Sequence, residues 1–190
     1  MITSALPWLW IDPSPARVSG ALASGAASRQ CWVRAVDVAS SPDLVFAWTT
    51  QLRRAPYSYD LIDNWGHRSP QVLDPALIDL RPGDTVMRIF TVVSVDPARS
   101  FTLRFSSARA ERIFGRLIIE YLVEPVESSS RLVVRLSVPL PTGPLDGLRQ
   151  SALAWGDLVM MRKQLRELRR LAERDHRSLT PPDSRPAGEQ

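Results

Sequence analysis

The stretch RLVVRLSVPLPTGPLDGLRQSALAWGDLVMMRKQLRELRRLAERDHR, residues 131–177, changes its hydrophobic period at Pro144. Before that proline, Leu132, Val134, Leu136 and Val138 are set against Arg131, Arg135 and Ser137. Strand side chains point to opposite faces in turn, so this is a strand with one dry face and one wet face. Such strands belong to antiparallel sheets. From Pro144 onward no proline intervenes before Pro181, and apolar residues recur every three or four positions. That is helical spacing, and thirty-odd residues at about 1.5 Å each predict a helix on the order of 50 Å long.

The same alternation extends toward the N-terminus. Ser100–Ser106 sets Phe101, Leu103 and Phe105 against Thr102 and Arg104. Arg112–Glu124 sets Ile113, Leu117, Ile119, Tyr121 and Val123 against Arg112, Arg116 and Glu120. Asp84–Asp96 is rich in β-branched residues and is bounded by the turn Arg81-Pro82-Gly83-Asp84 and by Pro97. Its faces are mixed, and Met87, Ile89, Thr91 and Val93 are the expected inner row. A first strand is predicted over Gln30–Val38, followed by Ser40, Ser41, Pro42 and Asp43. A serine cap, a proline at the first helical position and an early carboxylate start a helix. That helix carries Val45, Trp48 and Leu52 on one side and ends near Arg54. Short connections predict a meander of hairpins.

A one-faced sheet must cover its dry side, and the long helix is the large apolar element available to do so. The expected fold class is therefore α+β, a curved antiparallel sheet wrapped around a long C-terminal helix, over residues 29–177. Residues 1–28 carry three prolines and no regular period. They read as an irregular extension that Trp8 and Trp10 dock onto the body. Residues 178–190 read as a disordered tail.

At 190 residues with 44% hydrophobic and 23% charged side chains, the chain is of ordinary globular composition and one domain's length. No run of residues is apolar enough to span a bilayer. The N-terminal stretch lacks a basic start and an uninterrupted apolar segment, so the expected location is cytoplasmic. A lone Cys31 and only two histidines exclude an internal disulfide and the common metal motifs, and no cofactor is expected. The net charge is +4, but from residue 162 onward eight Lys or Arg face five Asp or Glu. The basic excess is thus C-terminal and is no nucleic-acid footprint.

Two blocks, DVASSPDLVFAWTTQLRRAPYSYDLIDNWGHRSP (37–70) and WGDLVMMRKQLRELRRLAE (155–173), together with this element order, resemble the START-like helix-grip superfamily. That superfamily is also called SRPBCC, and the likeness is greatest to its bacterial polyketide cyclase/dehydrase-like branch. The resemblance implies a cavity between sheet and long helix that holds a hydrophobic small molecule such as a lipid, sterol or polyketide. Family members range from carriers to enzymes, so the fold alone does not decide the activity.

The residues expected to line that cavity are Phe101, Phe105, Leu117, Tyr121, Val134, Trp155 and Val159. The expected rim is the polar-aromatic stretch PYSYDLIDNWGHRSP (56–70), with Tyr57 and Tyr59 facing inward and Asp60, Asp63, His67 and Arg68 at the mouth. Binding or carriage of a hydrophobic small molecule is the first functional reading. The alternative is an enzyme of the cyclase, aromatase or dehydratase type that uses the Tyr57–Arg68 cluster for acid–base work, with His67 titrating near neutrality. Motifs for acyl hydrolysis, dinucleotide binding and phosphate binding are missing. Gly156, Met160 and Met161 stand out in the long helix as positions that leave room or adapt to a ligand. On its second half, Arg166, Arg169 and Arg170 share one face and are expected to make a weak contact with an anionic membrane.

Overall fold

The computed structural model describes residues 7–12, 29–57 and 69–179. Seven strands form one sheet: β1 (Leu9–Asp12), β2 (Arg29–Val38), β3 (Thr85–Val86), β4 (Phe90–Asp96), β5 (Ser100–Phe105), β6 (Ile118–Val126) and β7 (Ser129–Pro139). Their order across the sheet is β1-β2-β7-β6-β5-β4-β3. Every pairing is antiparallel except β1 with β2, which run parallel from Leu9 opposite Val33 to Asp12 opposite Val36. Three helices accompany the sheet: α1 (Pro42–Thr50), α2 (Ala108–Phe114) and α3 (Pro144–Leu179).

Helix α1 starts where the sequence places it, with Pro42 in its first turn, and a 3-10 turn over Gln51–Arg53 extends it. Strand β7 keeps the predicted alternation, with Leu132, Val134, Leu136 and Val138 all in the core between sheet and helices. On the opposite face, register sets Asp37 opposite Arg131 and Glu120 opposite Arg135. Those positions carry cross-strand ion pairs of 2.5 and 3.0 Å. A smaller apolar cluster of Cys31, Val33, Ala35, Leu122 and Val133 lies on that same face, with Leu9 and Ile11 packed against it. Burial pushes the Cys31 thiol up, as suits a structural cysteine.

Three elements differ from the sequence expectation. Residues 9–12 form a strand where only an irregular chain was read. Four residues are too few to show a period, and β2 supplies the template that orders them. Asp84–Asp96 is not one strand. The chain reverses at Met87 and Arg88, whose φ angles of 49° and 63° are left-handed, and Val86 pairs with Phe90 across the turn. Neither glycine nor asparagine marks that turn. It is held by main-chain bonds from Met87 N–H to Leu52 and from Ser106 N–H to Ile89. The reversal and a register shift between Val92 and Ser94 invert the faces, so Val86, Phe90 and Val92 are buried while Ile89 and Val93 are exposed. Finally, the expected strand Arg112–Glu124 begins only at Ile118, and its first residues belong to the helix Ala108–Phe114. Ser107 caps it by accepting from the Ala110 N–H, and Gly115 at φ 83° ends it. Ile113 therefore lies exposed outside the sheet.

Candidate functional site: a cavity between sheet and long helix

A cavity of about 570 Å³ lies between the sheet and the first half of α3. Its apolar wall comes from successive inner-face residues: Phe105 on β5, Ile119 on β6, Leu136 and Val138 on β7, and Trp32 on β2. Phe105 stacks on Phe90 at 4.8 Å, and Tyr121 stacks on Phe101 at 5.0 Å. From α3 the wall receives Leu153, Gly156, Met160 and Met161. A Cβ at Gly156 would meet nothing within 4 Å, so the glycine leaves that part of the cavity open.

The wall is not wholly apolar. Asp157 and Gln164 on α3 and Tyr121 on β6 all face the cavity. The positions 157 and 164 are two turns apart, so they share one helix face. The Tyr121 hydroxyl donates to Gln164 Oε1 at 2.7 Å, and Gln164 Nε2 donates to the Pro56 carbonyl at 2.5 Å. Behind Asp157 stands Arg34, which lies on the same face of β2 as Trp32 and is completely buried. Its Nη2 donates to Asp157 Oδ2 at 3.0 Å, and its Nη1 donates to the carbonyls of Trp8 and Val33. The ion pair therefore also ties β1 to the body.

Asp157 keeps 21% of its side chain accessible, through the cavity. Burial raises its carboxyl from 3.8 to about 6, against the opposing pull of the Arg34 charge and hydrogen bond. Burial likewise lowers the Arg34 guanidinium, with Asp157 opposing. The Tyr121 hydroxyl is driven far above the ordinary phenol range by burial first and the Asp157 charge second, so it stays neutral and serves as a hydrogen-bonding group. The cavity thus offers a largely apolar body and a polar group around Asp157, whose carboxyl titrates near neutrality, with Arg88, Asp146, Arg149 and Gln150 elsewhere on its wall. Among the described residues no group of three His, Cys, Asp or Glu side chains is placed to hold a metal.

Neither a family model nor a curated protein sequence matches the chain. Solved structures do. The di-domain ARO/CYC StfQ from the steffimycin biosynthetic pathway superposes with a TM-score of 0.50 at 12% identity, over 78% of this chain and 52% of StfQ. The chain has the α+β helix-grip fold. It spans about half the length of StfQ, whose structure holds two domains. The protein MLL2253 from Mesorhizobium loti aligns over 76% of this chain and 97% of its own, at 17% identity and a TM-score of 0.49. The Polyketide-cyc-like protein Cgl2372 from Corynebacterium glutamicum aligns over 80% and 96%, at 14% identity and a TM-score of 0.45.

Within this helix grip the sequence-derived site residues separate. Phe105, Leu117 and Tyr121 are on the cavity wall. Phe101 and Val134 are buried in the core and are not on the cavity wall. Trp155 and Val159 are not lining residues: they stand 51% and 50% exposed on the outer side of α3. A straight helix has one inward face. Ala154, Leu158, Met161, Leu165, Leu168 and Ala172 make a continuous buried stripe along it. At about 100° per residue, the row containing Trp155 and Val159 lies roughly 140° away from that stripe. Tyr57 is also off the wall. It is buried edge-on against Trp48 at 6.2 Å. Tyr59, Asp60, Asp63, His67 and Arg68 lie outside the described residues.

Three polar residues of the site escaped sequence reading. Arg34 interrupts the inner row Trp32, Val36 and Val38, and Asp157 interrupts the helix's apolar half. A single charge of each sign on facing dry surfaces is the signal that could have found the pair. Gln164 carried no such signal, since it reads as one more polar residue. The basic second half of α3 is heavily paired: Arg166 with Asp12 at 3.2 Å, Arg169 with Glu173 at 3.2 Å and Arg170 with Glu167 at 2.6 Å. Arg162 and Arg166 each sit 5.4 Å from the Trp10 ring.

Proposed function

We propose that the protein binds a hydrophobic small molecule in the cavity between sheet and α3, with a hydroxyl-bearing end at Asp157. One observation carries the reading: an open, largely apolar cavity of about 570 Å³ in which Tyr121, Asp157 and Gln164 form one polar group, apart from Arg88, Asp146, Arg149 and Gln150 elsewhere on the wall. Asp157 Oδ2 is taken by Arg34, which leaves Oδ1 as an acceptor for a ligand O–H. Tyr121 and Gln164 bond each other and define the neighbouring wall. A ligand lacking the hydroxyl would leave Oδ1 of a desolvated carboxylate without a hydrogen bond, and sites of that kind discriminate strongly.

The test uses Gly156→Phe, which fills open space and replaces a helix-breaking residue. The variant should stay folded and lose enhancement of anilinonaphthalene sulfonate fluorescence. Binding of 2-naphthol over naphthalene should be preferred by the natural chain and not by Asp157→Asn. Undiminished probe binding by Gly156→Phe would remove the cavity as the site. Native mass spectrometry of the purified protein, followed by organic extraction, then identifies the natural cargo.

A second reading, an enzyme of the cyclase, aromatase or dehydratase type, is favoured by the Asp157 carboxyl near pH 6. A general base works best when its pKa lies near the working pH. This reading rests on Asp157 and not on Tyr57, which lies away from the cavity. An enzyme returns a chemically altered compound, whereas a carrier returns its cargo unchanged, and chromatography of the extract against the added compound separates them.

A further inference from the structure

The cavity opens onto a surface that is both apolar and cationic. Ile89, Phe114, Leu140 and Met160 line the cavity and are also exposed. Arg88 and Arg149 belong to the same wall and are exposed too. Around Arg149, Leu145 and Leu148 stand 83% and 70% exposed. Their row on α3 continues to Trp155 and Val159 and lies directly beside the helix face that borders the cavity. On the other side of the mouth, α2 and its end carry Arg109, Arg112 and Arg116, all exposed, next to exposed Ile113. None of these five arginines forms an ion pair with a described residue. Two carboxylates are close in sequence: Glu111, and Asp146, which accepts from Thr142.

Exposed apolar surface of this extent marks an interaction site. Its charge identifies the partner. A second copy seated face to face would set arginine against arginine, and like charges at an interface are costly. An anionic bilayer offers the complement: phosphates for the arginines and an acyl boundary for leucine and phenylalanine. We propose that the mouth of the cavity docks onto an anionic lipid surface. Leu145, Leu148 and Phe114 enter the headgroup boundary, and Arg112, Arg116 and Arg149 meet the lipid phosphates. The cavity then opens toward the membrane, which gives a hydrophobic molecule a path that avoids water. This surface differs from the paired basic half of α3. It requires nothing about which molecule the cavity takes.

Co-sedimentation of the whole chain with phosphatidylcholine vesicles, with and without phosphatidylglycerol, tests the proposal. Binding should require the anionic lipid and fall as salt rises, because screening weakens exposed charges. Replacing Arg112, Arg116 and Arg149 together by Gln should weaken binding on the order of 100-fold, at about fivefold for each arginine near the surface. Leu145→Asp with Leu148→Asp should abolish it. Both leucines are exposed, so the core survives, and circular dichroism verifies the fold. Arg169→Gln with Arg170→Gln, whose partners are Glu173 and Glu167, should leave binding within about twofold. Equal binding to neutral and anionic vesicles overturns the proposal. So does loss of binding in the Arg169/Arg170 variant alone. A dimer in analytical ultracentrifugation that Leu148→Asp dissociates, without vesicle binding, would overturn it and give the face to a second copy.

Discussion

The Arg34–Asp157 pair makes the sharpest prediction, because one partner is completely buried and the other meets only the cavity. Replacing one partner leaves the other charge in a poorly solvated place, which typically costs about 3–5 kcal/mol. The low end applies here. Arg34→Met leaves a carboxyl that already titrates near 6 and can take a proton. Asp157→Leu leaves a guanidinium that retains the Trp8 and Val33 carbonyls. Each single variant should therefore lose about 3 kcal/mol in guanidinium chloride unfolding. For a domain of this size that is a fall in Tm of roughly 6–12 °C. The double variant Arg34→Met/Asp157→Leu puts apolar groups of similar volume face to face, and such replacements are often neutral or better. It should lose no more than about 3 kcal/mol, the cost of one single variant instead of two, for a coupling on the order of 3 kcal/mol. Losses that simply add, to about 6 kcal/mol, would refute the reasoning and show that the two charges act independently. A double variant that is stable but has lost its preference for 2-naphthol would show that the pair serves the site.

Two further outcomes are expected. Tyr121→Phe removes the donor to Gln164 in a buried hydrogen bond of 2.7 Å, and an orphaned acceptor costs about 1–3 kcal/mol; equilibrium denaturation reads it, and no loss would mean that water enters to replace the hydroxyl. Asp157 binds its proton more tightly in the folded chain, about 6, than its ordinary value of 3.8. Its contribution to stability is thus full below pH 3.8, declines as pH rises, and is gone above about 6. At about 1.36 kcal/mol per unit, the natural chain should lose about 3 kcal/mol across that window relative to Asp157→Asn. Denaturation curves for both proteins across that pH range check the sign: a natural chain that gains stability relative to Asp157→Asn as pH rises would place the Asp157 carboxyl below its ordinary value.

The sequence by itself determined what depends on near neighbours. The alternation in residues 131–139 and 100–105 placed those strands and their dry faces, because strand side chains alternate whatever the sheet around them does. Pro42 and Asp43 opened α1, although the Ser41 side chain makes no capping bond, and the proline-free stretch from Pro144 made α3, because first-turn residues and helical spacing act within a turn or two. Tertiary structure decided what depends on distant partners. Leu9–Asp12 is a strand only because β2 offers it unpaired main-chain groups. The reversal at Met87 and Arg88 is held by Leu52 and Ser106, which no local signal announces. On α3 the sequence offered two apolar rows, one through Leu158 and Leu165 and one through Leu148 and Trp155. The helix could bury only one of them against a single sheet. The choice went to the row that packs on α1 and β2, and the other row was left beside the mouth. Arg34 and Asp157 stand 123 residues apart, and each alone is an ordinary charge. Only the closed fold brings them together in low dielectric, where burial shifts both pKa values against the opposing pull of the pair and sets a charged group on the wall of a largely apolar cavity.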